Sequence, residues 1–168
     1  MYCSFNGICI AAIKLLNDGL VKKVGVYDAD AHAGNGTEDI IRTLRLEEKI
    51  LHWSFGYEYT LRTFRQDRFL DDLDRTLRNM KSEGVELVIA QCAADSHIND
   101  DLGGFQTTED LRHRDRCLFD VCYELSMPVC VCFGGGYQVE ADGSIPVVLE
   151  IHRNTALEAI RVLSMPGR

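Results

Sequence analysis

The sequence predicts an α/β protein of three layers, α/β/α, with a mainly parallel sheet, on three observations. Short apolar runs rich in β-branched residues recur four times, amphipathic helical segments separate them, and the polar and glycine-rich loops fall where strands give way to helices. A strand buried on both faces reads as an unbroken apolar run, and right-handed crossovers place the intervening helices on the two sides of the sheet. With 168 residues, of which 46% are hydrophobic, residues 1–168 form one domain.

The elements follow in order. Residues 7–18 (GICIAAIKLLND) carry apolar side chains at helical spacing, and Gly19 is a plausible stop. KKVGVYD is the first strand, ending at Asp28; the loop DADAHAGNGT leads to a helix from about Thr37 to Leu46. KILHWSF (49–55) is the second strand and FLDDLDRTLRNMKSEG (69–84) an amphipathic helix. ELVIAQC (86–92) is the third strand, followed by the loop AADSHINDDLGGFQ and a helix from about Thr107 to Leu125. PVCVCF (128–133) is the fourth strand; the loop GGGYQ and a helix near 147–163 close the pattern.

A doubly wound sheet that opens with a helix lacks a strand ahead of it. The expectation is therefore a sheet truncated at its N-terminal side, with an edge and an apolar face that a homo-oligomer or another partner covers.

The formal charge is -8, from 26 acids and 18 bases, which argues against nucleic acid and favours cationic substrates; an acidic surface also serves solubility alone. Seven cysteines without a CxxC pair, several in apolar strands such as VCVCF, read as buried free thiols of a reducing compartment, so the cytoplasm is expected. No apolar stretch approaches the roughly 20 residues of a membrane span, and no signal-peptide pattern is present, so no membrane partner is expected.

In a parallel sheet, ligands collect at the carboxyl ends of the strands, where three loops hold the unusual residues. Asp28, Asp30 and His32 alternate after the first strand, and carboxylate with imidazole suits zinc. Equally, the two acids serve as turn or cap residues and His32 as a solvated loop residue. The loop from Asp95 to Phe105 brings further carboxylates to that end, or is simply a polar loop. Gly134, Gly135, Gly136 and Tyr137 let the backbone pass close to a ligand and deliver a phenol, or form a tight turn with a core tyrosine. The glycine spacing matches neither a phosphate loop nor a dinucleotide fingerprint.

Together these loops resemble the histone deacetylase and acetylpolyamine amidohydrolase family. YDADAHAGNGTED resembles its DxDxHxGNGT segment, AQCAADSHINDDLGGFQTT its GAD-x4-D-x-L-x-x-F segment, FGGGYQ its GGGGY segment, and YCSFNG its G-[FY]-C-x-[FL]-N segment. The resemblance runs from Tyr2 to the final helix and corresponds to the C-terminal part of the family's domain. It implies zinc ligands at Asp30, His32 and Asp100, the last because it falls five residues after Asp95. A site with two carboxylates also suits ferrous iron. Tyr137 matches the tyrosine that hydrogen-bonds the substrate carbonyl and stabilises the oxyanion. Gly135 and Gly136 lie in the matching substrate loop. Main-chain oxygens of Asp28, Asp30 and His32 match a monovalent-cation site for which potassium is the expected ion. Ala33 stands where a second histidine is common.

Asp28 and Asn35 match the groups that orient a tandem histidine pair, the family's general base and acid, which falls about ten residues ahead of YCSFN. On this reading the chain holds the orienters without the side chains they orient. Of the remaining histidines, His52 and His97 are read as structural, and His113 and His152 receive no role. Two functions follow. One is a zinc-dependent deacetylase acting on acetyl-lysine, an acetylpolyamine or a small acetylated amine, with catalysis in this chain placed in doubt by the absent pair. The other is a truncated, non-catalytic binding or oligomerising module.

Overall fold

In the computed structural model, residues 5–102 and 104–165 are described; Tyr2 and Cys3 of the YCSFN segment, and Gly103 of the third loop, lie outside them. Asn6 starts helix α1 (Gly7–Asn17), its side-chain oxygen accepting the amide of Cys9 at 2.9 Å. There follow β1 (Val24–Asp28), α2 (Asn35–Thr43), β2 (Ile50–Ser54), a single turn α3 (Phe55–Glu58), α4 (Gln66–Ser82) and β3 (Leu87–Ala93). Helix α5 (Thr108–Glu124) opens with a capping box between Thr107 and Asp110, and β4 (Val129–Gly134) and α6 (Pro146–Leu163) complete the chain. Each strand and long helix lies within a few residues of its expected place. The turn α3 is additional, too short to leave a periodic signal.

The sheet order is β2-β1-β3-β4, and all three pairings are parallel. Val24 stands opposite Ile50 on one side and Leu87 on the other, and Val88 stands opposite Val129. Alternation along the strands builds two cores. Val24 and Val26 of β1, Ile50 and Ile89 pack with Ala12 of α1 and Ile41 of α2 on one face. Tyr27, Val88, Ala90 and Cys92 pack with Phe69, Leu73, Leu77 and Met80 of α4 and with Leu118 and Cys122 of α5 on the other. Each fully buried Leu or Phe of this second core contributes about 1.5–3 kcal/mol. Helix α6 packs on α5, with Val148 and Ile151 against Ala94 and Leu111.

The described cysteines are free, as expected, and Cys9, Cys92 and Cys122 are buried; Cys130, expected to be buried, is exposed because β4 is an edge strand. No helix among the described residues is long and apolar enough to cross a membrane.

Candidate metal centre

Parallel pairing brings the carboxyl ends of the strands to one rim. Asp28 stands level with Ser54 of β2 and Gln91 of β3, and Ala93 stands level with Gly134 of β4. The loop after β1 is held by its own side chains: Asp28 Oδ1 accepts the amide of Asp30 at 3.2 Å, and Asp30 Oδ1 accepts the amide of His32 at 2.8 Å. Neighbouring elements fix its far end. Ser54 Oγ accepts the amide of Gly34 at 2.9 Å, and α3 lies so close beneath that a Cβ on Gly56 would fall 2.1 Å from the His32 carbonyl carbon. Asn6 Nδ2 donates to Thr37 Oγ1 in α2 at 2.9 Å, tying the start of α1 to the helix that follows this loop.

The third loop is anchored by packing. Phe105, the aromatic residue of its motif, stacks on Phe55 at 5.6 Å and touches Phe64 at 4.8 Å. Beneath it, Arg114 is fully buried in α5; its Nε donates to Asp115 and its Nη1 to the carbonyl of Ala93 at the end of β3, while Thr155 of α6 donates to Asp115. This pillar sets the level at which Asp95 emerges.

Asp30, His32 and Asp95 converge, with ligand atoms all within 4.8 Å of one another. His32 Nδ1 lies 2.9 Å from Asp30 Oδ1 and 3.0 Å from Asp95 Oδ2; Asp95 Oδ1 accepts the amide of Ala31 at 3.1 Å. Gln91 Nε2 reaches Asp30 Oδ2 at 3.4 Å. Asp95 is completely buried. Burial, with the Asp30 carboxylate beside it, raises its carboxyl to about 7. Burial works to lower the His32 imidazole, but the hydrogen bond and charge of Asp30, with Asp95 behind them, leave it above its ordinary value. The Nδ1 atom thus lies within hydrogen-bond reach of two carboxylates, and a divalent cation would balance the same charges. Two carboxylates and an imidazole are a donor set that suits zinc or iron.

The other sequence-assigned residues surround this group. Asp100 is nearly buried, but its oxygens are engaged: Oδ2 accepts the amide of Tyr137 at 2.6 Å and Oδ1 that of Leu102 at 3.0 Å. It thus couples the third loop to the one after β4. Tyr137 is half-buried there. Gly135, at φ +61°, lies against Asp95: a Cβ would fall 2.7 Å from its carboxyl carbon. Gly136, at φ +94°, lies as tightly against Val148. Asn35 opens α2 and is exposed. Asp28 is buried, and His52 of β2 brings its Nε2 to 4.0 Å from Asp28 Oδ2. His97 is held by Thr108 and the amide of Asn99, His113 pairs with Glu109, and His152 packs on Phe133.

Sequence reasoning missed three contributors. Asp95 counts in the sequence as one of the loop's carboxylates and as the marker for Asp100 but not as an assigned ligand, whereas the fold makes it a member of the cluster. Arg114 is signalled by a charged pair, Arg114-Asp115, set between the core positions Leu111 and Leu118 of one helix. Ser54 left no signal, because its role depends on the pairing of β2 with β1.

Comparison with known proteins agrees with the fold. A family model described as the histone deacetylase domain matches residues 2–81. An uncharacterized protein of Picosynechococcus sp. (strain PCC 7002) is 26% identical over 152 residues, covering 81% of this chain and 50% of that protein. Acetylpolyamine amidohydrolase of Mycoplana ramosa is 49% identical over 39 residues, covering 23% of this chain and 11% of that enzyme. The crystal structure of an acetylpolyamine aminohydrolase from Burkholderia pseudomallei superposes with a TM-score of 0.73 at 17% identity, covering 96% of this chain and 51% of that one. The chain thus spans about half the length of the cyanobacterial protein and of the solved enzyme.

Proposed function

We propose, for a chain that belongs to the histone deacetylase family, that the rim around Asp30 and His32 binds zinc and forms part of a site hydrolysing an acetyl amide. The observation that carries this reading is the convergence of Asp30, His32 and Asp95 at the carboxyl ends of two adjacent parallel strands. The substrate class is an acetylated amine or peptide: acetyl-lysine, an acetylpolyamine or a small acetylated amine. The proposed ligands are Asp30, His32 and Asp100, as the family motif implies; Asp95 is the alternative third carboxylate because it stands beside the other two. Zinc held there would polarise the acetyl carbonyl and lower the pKa of a bound water; ferrous iron suits the same donors.

The chain's own residues have separate tasks. Tyr137 donates its hydroxyl to the acetyl oxygen as charge develops on it. Gly135 and Gly136 bring the backbone close to the acyl group, since neither has room for a Cβ. Asp28 and Asn35 orient the groups that move protons, and main-chain oxygens of Asp28, Asp30 and His32 take potassium. No two histidines of the sequence are adjacent, so general acid–base catalysis, which typically contributes about 10²–10⁴-fold, needs groups beyond those assigned in this chain. A homo-oligomer or another partner is proposed as the binding partner besides the substrate, and the cytoplasm as the compartment.

Elemental analysis, paired with hydrolysis of a fluorogenic acetyl-lysine amide, tests this. Expected are about one zinc per chain and any activity abolished by a hydroxamate. Asp30→Asn should lose the metal. Loss in Asp100→Asn with retention in Asp95→Asn selects the motif's ligand set, and the reverse selects Asp95. Full zinc in all three variants would refute the site.

A further inference from the structure

Residues paired in register across a parallel sheet point to the same face, so the strands can be read in rows. On the face that α1 and α2 cover, the first row is Ile50, Val24 and Leu87 and the second His52, Val26 and Ile89, all apolar but His52. The third row, at the rim, is Ser54, Asp28 and Gln91. Here the pattern turns polar on all three strands at once. Each member of this row secures the loop after β1 at a different point. Ser54 Oγ accepts the amide of Gly34 at 2.9 Å, Asp28 Oδ1 accepts that of Asp30 at 3.2 Å, and Gln91 Nε2 donates to Asp30 Oδ2 at 3.4 Å. Of the three bonds, the last alone ends on a side chain of the loop, and that side chain is a proposed metal ligand.

We propose that Gln91 is a positioning residue of the metal centre: from β3 it fixes the orientation in which the Asp30 carboxylate takes the ion. Rotation of a carboxylate about its last bond is soft and two-fold, so its aim is set by what its oxygens touch. Asp30 Oδ1 is held within its own loop, accepting the amide of His32 at 2.8 Å and lying 2.9 Å from Nδ1 of the same residue. Those partners move with the loop. Gln91 holds the other oxygen from a strand in the middle of the sheet, where its carbonyl accepts the amide of Ala29 at 3.0 Å on one side and Cys132 of β4 pairs with it on the other. A group placed by a strand is held more precisely than one placed by a loop.

The Gln91 side chain is itself bordered by the glycine loop: a Cβ on Gly134 would lie in ordinary contact, 3.4 Å from Cδ and Nε2 of the amide. Because a carboxylate only accepts, the end of the amide that faces Asp30 is its NH2 group. A neutral donor suits the task. A lysine or arginine at this place would hold the same oxygen but oppose the arriving cation with its own charge, and a leucine or methionine would continue the apolar rows without touching Asp30. Glutamine reaches the carboxylate and leaves its charge to the metal.

This rests on the reading of Asp30 as a metal ligand. Zinc affinity of the purified chain, measured by competition with a chromophoric chelator, tests it, with urea unfolding of the metal-free chain alongside. Gln91→Met keeps a side chain of similar length and removes the donor; it should weaken zinc binding about 10–100-fold, the usual effect of losing a group that orients a ligand. Ile89→Val, one row below on the same face, loosens buried packing without removing a hydrogen bond, and should leave the affinity unchanged. The absorption spectrum of the cobalt-loaded chain reports how the ligands are arranged around the metal, and it should change in Gln91→Met but not in Ile89→Val. Parent affinity and spectrum retained in Gln91→Met, an equal loss in both variants, or a loss matched by earlier unfolding of the metal-free chain would assign Gln91 to packing and overturn the proposal while leaving the metal reading intact. A parent that binds no zinc overturns both.

Discussion

Replacing Gly135 by alanine joins the backbone of the glycine loop to the chemistry of the rim, and Gly143 supplies a matched control. Both residues have positive φ, +61° and +84°, so both substitutions bear the left-handed strain of a residue with a Cβ. Around Gly143 nothing lies within 4 Å of the added atom. Gly143→Ala should therefore lose only the conformational term, about 1 kcal/mol. At Gly135 the new Cβ would sit 2.7 Å from the Asp95 carboxyl carbon, and reaching an ordinary contact of 3.4 Å asks the carboxylate to move by about 0.7 Å. Asp95 is fully buried and bonded to Ala31 and His32 at 3.1 and 3.0 Å, so that shift breaks one bond or strains the loop. Overpacking of this kind adds roughly 1–3 kcal/mol, for a total of roughly 2–4 kcal/mol in Gly135→Ala. If Asp95 is a ligand or orients His32, zinc affinity should fall about 10–100-fold as well. Urea unfolding followed by circular dichroism reads the first quantity, and competition with a chromophoric chelator reads the second. Equal destabilisation of the two variants, with unchanged zinc affinity in both, would refute the packing of the glycine loop on Asp95.

Other changes probe the supports. Arg114→Met should cost about 3–5 kcal/mol in urea unfolding, because it strands the Asp115 carboxylate in the core; a loss under 1 kcal/mol would deny Arg114 its pillar role. Asn6→Ala removes both the cap of α1 and the bond to Thr37, and should cost about 1–2 kcal/mol; an unchanged midpoint would show that neither bond stabilises the fold. Glu158 is nearly buried among Arg112, Arg116 and Arg161. Against the opposing effect of burial, their hydrogen bonds lower its carboxyl from 4.5 to about 2. That drop is worth roughly 3 kcal/mol unscreened; with the arginines a third to nearly half exposed, screening reduces it to about 1–2 kcal/mol. A depressed carboxyl stabilises the fold above its unfolded pKa, and the contribution disappears as pH falls from 4.5 towards 2. Glu158→Gln should therefore be less stable than the parent at pH 7 and indistinguishable near the lower limit. A gap that persists there would contradict the titration of Glu158.

The sequence by itself determined the succession of elements and the rim where the chemistry gathers. Both are local properties: apolar runs and helical periodicity mark the elements, and in a parallel sheet every strand-to-helix loop reaches the same rim. For that reason Asp28, Asp30, His32, Asp100 and Tyr137 were legible as rim residues from their positions after β1, β3 and β4. Only the tertiary structure decided which of them touch. Asp95 joins Asp30 and His32 because β1 and β3 are neighbours in the order β2-β1-β3-β4, an arrangement that no local pattern encodes. Asp100 instead meets the Tyr137 amide, and Arg114 reaches the Ala93 carbonyl, through contacts 37 and 21 residues apart. The exposure of Cys130 belongs to the same class: VCVCF reads as a buried strand from its composition, and it is the absence of a neighbour on one side of β4 among the described residues that turns it into an edge. Periodicity reports what a segment prefers to bury, whereas long-range packing settles what it is buried against.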